Sequence, residues 1–112
     1  MALVPALLKA PAYVANSATS VITVASSTRA SVKSIILNNL NTAAETVKLH
    51  VGVSGASAAD SNQIIAMSIP ASTTVITDIP FPLVLAATDI LYAQTTTASK
   101  VVITITGTNE TV

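Results

Sequence analysis

The sequence predicts an all-β chain: a jelly-roll-like β-sandwich of about eight short antiparallel strands with an extended N-terminal arm. Three observations carry this. Apolar and polar residues alternate with period two along most of the chain, as on a half-buried pleated surface. The alternating runs are dense in Val, Ile and Thr, whose β-branched side chains suit that surface. Clusters of Ser, Thr, Asn, Ala and Pro interrupt the runs every 8–12 residues, the spacing of turns in a sandwich.

The first twelve residues break this pattern. Ala2 to Leu8 is apolar and Pro5 and Pro11 hold the backbone extended. A secretory leader would carry positive charge before its apolar run, whereas Lys9 follows it. Residues 1–12 therefore read as an arm, and residues 13–112 as one sandwich domain. Leu3, Val4, Leu7 and Leu8 would lie on a neighbouring subunit or host particle. The other placement is an extra strand on their own sandwich, and the first is favoured. On the favoured reading, a chain lacking residues 1–12 still folds but no longer binds its particle.

The strands follow in order. Ser20–Ala25 is the first and Ser31–Leu40 the second. There the run Ile35-Ile36-Leu37 breaks alternation and implies burial on both faces or a bulge. In Thr46–Val53, Val47, Leu49, Val51 and Val53 face one way and Thr46, Lys48 and His50 the other. Asn62–Ile69, Thr73–Ile79, Leu83–Leu85, Asp89–Thr96 and Lys100–Thr106 complete the set, with turns at Pro70-Ala71-Ser72 and Pro80-Phe81-Pro82. Residues 55–63 could form a helical turn. The expected core is Val21, Ile36, Val47, Leu49, Val51, Ile65, Val75, Leu85, Leu91, Val101, Ile103 and Ile105.

Composition narrows the function. Only ten of 112 residues are charged, five of each sign. A fold of this mass exposes roughly 5,700 Å², so its skin is sparsely charged and poorly protected against association. Homo-oligomerisation is expected, a trimer foremost. Five scattered cations make no basic surface for a nucleic-acid backbone, and no segment reads as a membrane span. With no cysteine, thiol nucleophiles, disulfides and Cys-based zinc sites are excluded. The three aromatics, Tyr13, Phe81 and Tyr92, are few for a sugar-stacking platform.

The segment order resembles the small all-β structural proteins of tailed-phage and prophage virions. The residues that carry the resemblance are Val32-Lys33-Ser34-Ile35-Ile36-Leu37-Asn38-Asn39 (V-x-S-I-x-L-x-N) and Thr46-Val47-Lys48-Leu49-His50-Val51 (T-V-x-L-x-V). They continue with Ile69-Pro70-Ala71 and with Leu83-Val84-Leu85 leading to Thr88-Asp89-Ile90-Leu91-Tyr92-Ala93, over about residues 18–110. Two positions depart. Ala25-Ser26-Ser27 replaces a Pro-Ala-Gly turn, and Thr88 stands where a glycine precedes the corner Asp. The resemblance implies a non-catalytic, oligomeric virion component on head, neck or tail.

No side-chain set spells out chemistry. His50 is the only histidine and no G-x-S-x-G accompanies it. The five carboxylates are dispersed, so neither a glycosidase pair nor a metal cage is indicated, and Asp60-Ser61-Asn62 reads better as an Asx-type turn than as a calcium loop. No cofactor is expected. Asp89 is expected to cap a tight corner, while Arg29 and Lys33 share one strand face and could meet an acidic neighbour. The function expected is a capsid decoration or cement protein contacting other virion proteins, the major capsid protein foremost. The alternatives are a tail, neck or fibre component, or a stand-alone glycan- or surface-binding module using Tyr13 or Tyr92.

Overall fold

The structure, a computed structural model, describes residues 3–111, with side chains described for residues 6–77 and 83–111. Eight strands form in chain order: β1 (Leu3–Tyr13), β2 (Thr19–Thr23), β3 (Thr28–Asn39), β4 (Glu45–Gly52), β5 (Gln63–Ile69), β6 (Thr74–Leu85), β7 (Ile90–Thr95) and β8 (Val101–Thr111). They make two four-stranded antiparallel sheets, ordered β1-β8-β3-β6 and β2-β7-β4-β5. The pairs β1 with β8, β2 with β7, β3 with β6 and β4 with β5 nest like one long hairpin rolled on itself, so the sandwich is jelly-roll-like in connectivity. The β3–β8 and β4–β7 ladders join these pairs into the two sheets.

Between the sheets lies a core of interleaved aliphatic side chains, among them Val32, Ile35, Leu37, Val47, Leu49, Leu85, Leu91, Val101, Ile103 and Ile105. Val51, Ile65 and Val75 of the expected core pack against it while staying partly open.

One expected core position, Ile36, is out of phase, and a bulge is the cause. In β3 both ladders shift register between Val32 and Ser34. A bulge at this point switches the inward parity, so Ala30 and Val32 before it and Ile35, Leu37 and Asn39 after it all face the core. Ile36 consequently points outward. A register shift also lies between Ser20 and Ile22 in β2; Ile22 and, just beyond the strand, Val24 are buried, and Val21 packs against the core while staying partly open.

The turn expected at Pro80-Phe81-Pro82 is absent, and β6 runs through it as one strand. Ser34 pairs with Asp78 but Val32 with Leu83, so the proline segment bulges opposite Lys33. Prolines are tolerated there because β6 is a sheet edge, where a missing N–H costs no ladder bond. The side chains of this segment lie outside the described residues. Residues 60–62, within the expected helical turn, form a short 3₁₀ turn, and residues 53–55 form another at its start.

From Leu3 onward, the arm expected over residues 1–12 is instead β1, an edge strand of the chain's own first sheet. Its register runs from Leu3 opposite Glu110 to Tyr13 opposite Val102, and Val14 N–H then donates to Val101 C=O at 2.8 Å. The physical reason is that β8 would otherwise end the sheet, leaving its ladder groups unpaired beside the core residues Ile103 and Ile105. Two register shifts flank Lys9, the second spanning Pro11, while Pro5 keeps regular register opposite Thr108. Deleting residues 1–12 is therefore expected to remove much of the ~5–15 kcal/mol that stabilises a domain of this size. Thermal and urea unfolding check this: a truncated chain that melts within a few degrees of the full chain would mean that β1 contributes little.

Candidate functional site

The polar side chains that matter most sit at the two ends of the sandwich. At one end, the turn Ala86–Asp89 joins β6 to β7, with Asp89 N–H donating to Ala86 C=O at 3.1 Å. The buried Asp89 carboxylate accepts from Ala86 N–H at 3.0 Å and from Ser54 N–H at 2.9 Å. Val24 N–H bonds Asp89 C=O and Thr88 N–H bonds Val24 C=O, so the end of β2 is tied to the same corner.

Ser54 brings in the loop Val53–Asn62, which folds over the outer face of the second sheet. His50, expected on an open strand face, is 4% exposed because this loop covers it. Its ring Nδ1, 2.9 Å from Ala59 C=O, carries the proton, since a carbonyl only accepts. Tyr92 O–H donates to Ala56 C=O at 2.9 Å. Gly52 allows the close approach: a Cβ there would overlap the Ala56 carbonyl oxygen.

At the opposite end, Asn39 and Glu45 are both buried. Asn39 Nδ2 donates to the carbonyls of Ala43, Ile69 and Pro70, and its Oδ1 accepts from Asn41 N–H at 2.9 Å. Glu45 accepts from Thr97 N–H at 2.7 Å, from Thr95 O–H at 3.1 Å and from Asn41 Nδ2 at 3.1 Å. Burial pushes the Glu45 carboxyl up, but the donors from Thr97, Asn41 and Thr95 outweigh it and hold the group below its ordinary value. Neither Asn39 nor Glu45 was singled out from the sequence. The signal was present for Glu45, which shares the parity of Val47 and Leu49.

The outer face of the first sheet is uncharged over a broad strip. Ile36 stands opposite Ile76 on one side and Thr104 on the other; Asn38 stands opposite Thr74 and Val102, and Val102 opposite Tyr13. Ile76 and Tyr13 are 62% and 60% exposed. The second sheet's outer face carries Thr46, Lys48, Ala66 and Ser68 beside the anchored loop.

The residues expected to contact partners fall as follows. The side chains of Leu3 and Val4 lie outside the described residues. Leu8 packs on the chain's own core, while Leu7 is exposed. Arg29 is paired within the chain: its Nη2 and Nε both donate to Glu110 Oε2, at 2.7 and 3.0 Å, across the β3–β8 ladder, and its side chain stays partly exposed. Lys33 is exposed at the bulge. Tyr13 and Tyr92 lie on different sheets and form no common platform. The Asn62 side chain closes its own 3₁₀ turn through Ala59 N–H and Ser57 C=O. Among the described residues no three His, Asp or Glu side chains cluster as metal ligands. A groove of about 330 Å³ between β1 and β2, lined by Leu7, Leu8, Ile22 and Asn109 among others, carries no ionisable group.

Neither a protein-family model nor a curated protein matches this chain.

Two variants probe the ends. Thr88 sits at φ 69° and Ser27 at φ 60°, in the left-handed region that favours glycine. Left-handed backbone costs a β-branched residue ~1–2 kcal/mol, against ~0.5–1 kcal/mol of extra chain entropy for glycine. Thr88→Gly is expected to raise stability by about 0.5–1 kcal/mol, a rise in Tm of a few degrees; an unchanged or lower Tm in calorimetry refutes the strain. Glu45→Gln is expected to cost about 1–3 kcal/mol near neutral pH. Because the folded carboxyl is held below 4.5, its contribution is complete above that value and lost as pH falls through the folded one. Urea unfolding across pH should show the gap between wild type and variant constant above about pH 5 and closing in acid.

Proposed function

We propose that this chain is a non-catalytic structural subunit of a tailed-phage particle, acting as a decoration or cement protein on the head. The observation that carries the reading is the uncharged strip on the outer face of the β1-β8-β3-β6 sheet, where Ile36, Ile76, Val102 and Tyr13 stand among hydroxyl and amide side chains. The surface is barer still than the composition implies. Of the ten charged residues Glu45 and Asp89 are buried and Arg29 is paired with Glu110, so at most eight charged side chains serve 5788 Å² of surface. A face of this type is suited to burial against another protein.

The mechanism is mechanical. A rigid sandwich laid across neighbouring capsid subunits gains little from each contact, but copies bound at symmetry-related positions hold many subunits together. The order of strand and turn motifs along residues 18–110 supports the assignment to virion proteins. The test is quantitative mass spectrometry of particles purified from cells that carry the gene, with immunogold labelling of intact virions. The expected result is many copies per particle, labelled on the head. A chain that is expressed but missing from washed particles overturns the proposal, and label confined to the tail moves its location.

A further inference from the structure

Of the four edge strands, three carry features that obstruct strand addition. β1 holds Pro5, Lys9 and Pro11 with two register shifts; β2 is five residues long with a shift at Ser20; β6 contains Asp78, Pro80 and Pro82 and bulges. Prolines, charges, bulges and short length are the usual guards of a sheet edge. β5, Gln63-Ile64-Ile65-Ala66-Met67-Ser68-Ile69, has neither proline nor charge. Its one register shift is beside Ile64, which leaves Ile65–Ile69 regular.

The backbone direction of this edge follows from its neighbours. Thr46 N–H donates to Thr96 Oγ1 just beyond β7, and Thr95 N–H turns away from β4 to Ala15 C=O. Even-numbered residues of β4 thus bond toward β7 and odd-numbered ones toward β5. Since Leu49, Val47 and Glu45 pair with Ile65, Met67 and Ile69, alternation leaves the N–H and C=O of Ala66 and Ser68 aimed out of the sandwich. Above them the core is unfinished. Ile65 and Met67 of β5 and Val75 and Leu83 of β6 pack against the core while staying partly open, and Ile64 of β5 is exposed.

We infer that β5 is the contact between two copies of this chain, paired antiparallel about a two-fold axis at Met67 so that two four-stranded sheets become one of eight. In that register Ala66 faces Ser68 of the second copy on the outer side, two small residues that leave room for the ladder. On the inner side Met67 meets Met67 of the second copy and Ile65 meets Ile69, closing the half-open core. The strand is self-complementary because it bears no charge, as an isologous contact requires. The nearest outer-face cation, Lys48, would stand about 14 Å from its symmetry mate at three strand spacings, beyond the ~8 Å screening length. Seven residues make a side about 23 Å long, and two sheets ~10 Å apart with their side chains make it about 20 Å wide. The resulting face of roughly 500 Å², larger as accessible area, approaches the ~800 Å² per partner of stable pairs. The geometry is two-fold, in place of the three-fold expectation from composition, and it does not depend on the particle assignment.

Two experiments on the full chain test the pairing. Sedimentation equilibrium should show the wild-type mass rising with concentration from 11.3 kDa toward twice that. Ala66→Lys with Ser68→Lys should hold it at the monomer mass, while Ser20→Lys on the β2 edge should leave the dimer intact. The chain has no cysteine, so register can be read by disulfide formation. A mixture of Ala66→Cys and Ser68→Cys proteins should cross-link faster than either alone, because 66 faces 68 at about 5.5 Å while like positions are about 8 Å apart. A wild-type chain that is monomeric at every concentration overturns the inference and leaves the edge to a strand of another polypeptide. A dimer that survives the two lysines, or a mixture that cross-links no faster than its components, overturns it equally.

Discussion

At both ends of a two-sheet sandwich the ladders stop while the chain still turns, and the backbone groups left there must find partners or stay wet. Here they find side chains. Asp89 receives Ala86 and Ser54 N–H at one end; Asn39 and Glu45 settle the turns around residues 41–45, 69–70 and 95–97 at the other. A buried carboxylate is costly unless donors surround it, and both carboxylates have them. No buried side-chain polar atom lacks a partner among the described residues. The sheets can stay packed to their ends because these few groups close them.

Strand phase is the second constraint. Both inner faces must be apolar over strands as long as twelve residues, and a single bulge in β3 reconciles two halves of opposite parity. The same bulge neighbours the irregular stretch of β6, so one local defect accommodates Lys33 and the two prolines without opening the core. Close backbone contact at that level needs Gly107, where a Cβ would overlap the Ser31 carbonyl oxygen.

These internal demands shape the exterior. Acidic residues used to close the ends are withdrawn from a surface that had few charges, and the Arg29–Glu110 pair further lowers the charge available to solvent. What remains is an apolar and hydroxyl-rich skin with one unguarded sheet edge. Both features suit association more than chemistry, and they occupy different parts of the molecule: the outer face of the first sheet and the free edge of the second.

The all-β class, most strand positions and the inward faces of β4, β7 and β8 were legible in the sequence, because side-chain alternation is a local property of the extended chain. The parity of Glu45 with Val47 was legible as well. Three matters were decided only by tertiary structure. Residues 3–13 became a strand because β8 had an edge to fill, which nothing within the segment announces. Ile35 and Leu37 took the core in place of Ile36 because the phase of a bulged strand is set by the ladders on both its sides. Glu45, Asn39 and His50 acquired their roles from carbonyls and N–H groups supplied by residues up to 52 positions away. Alternation tells which side a residue faces; only the closed sandwich determines what stands there to meet it.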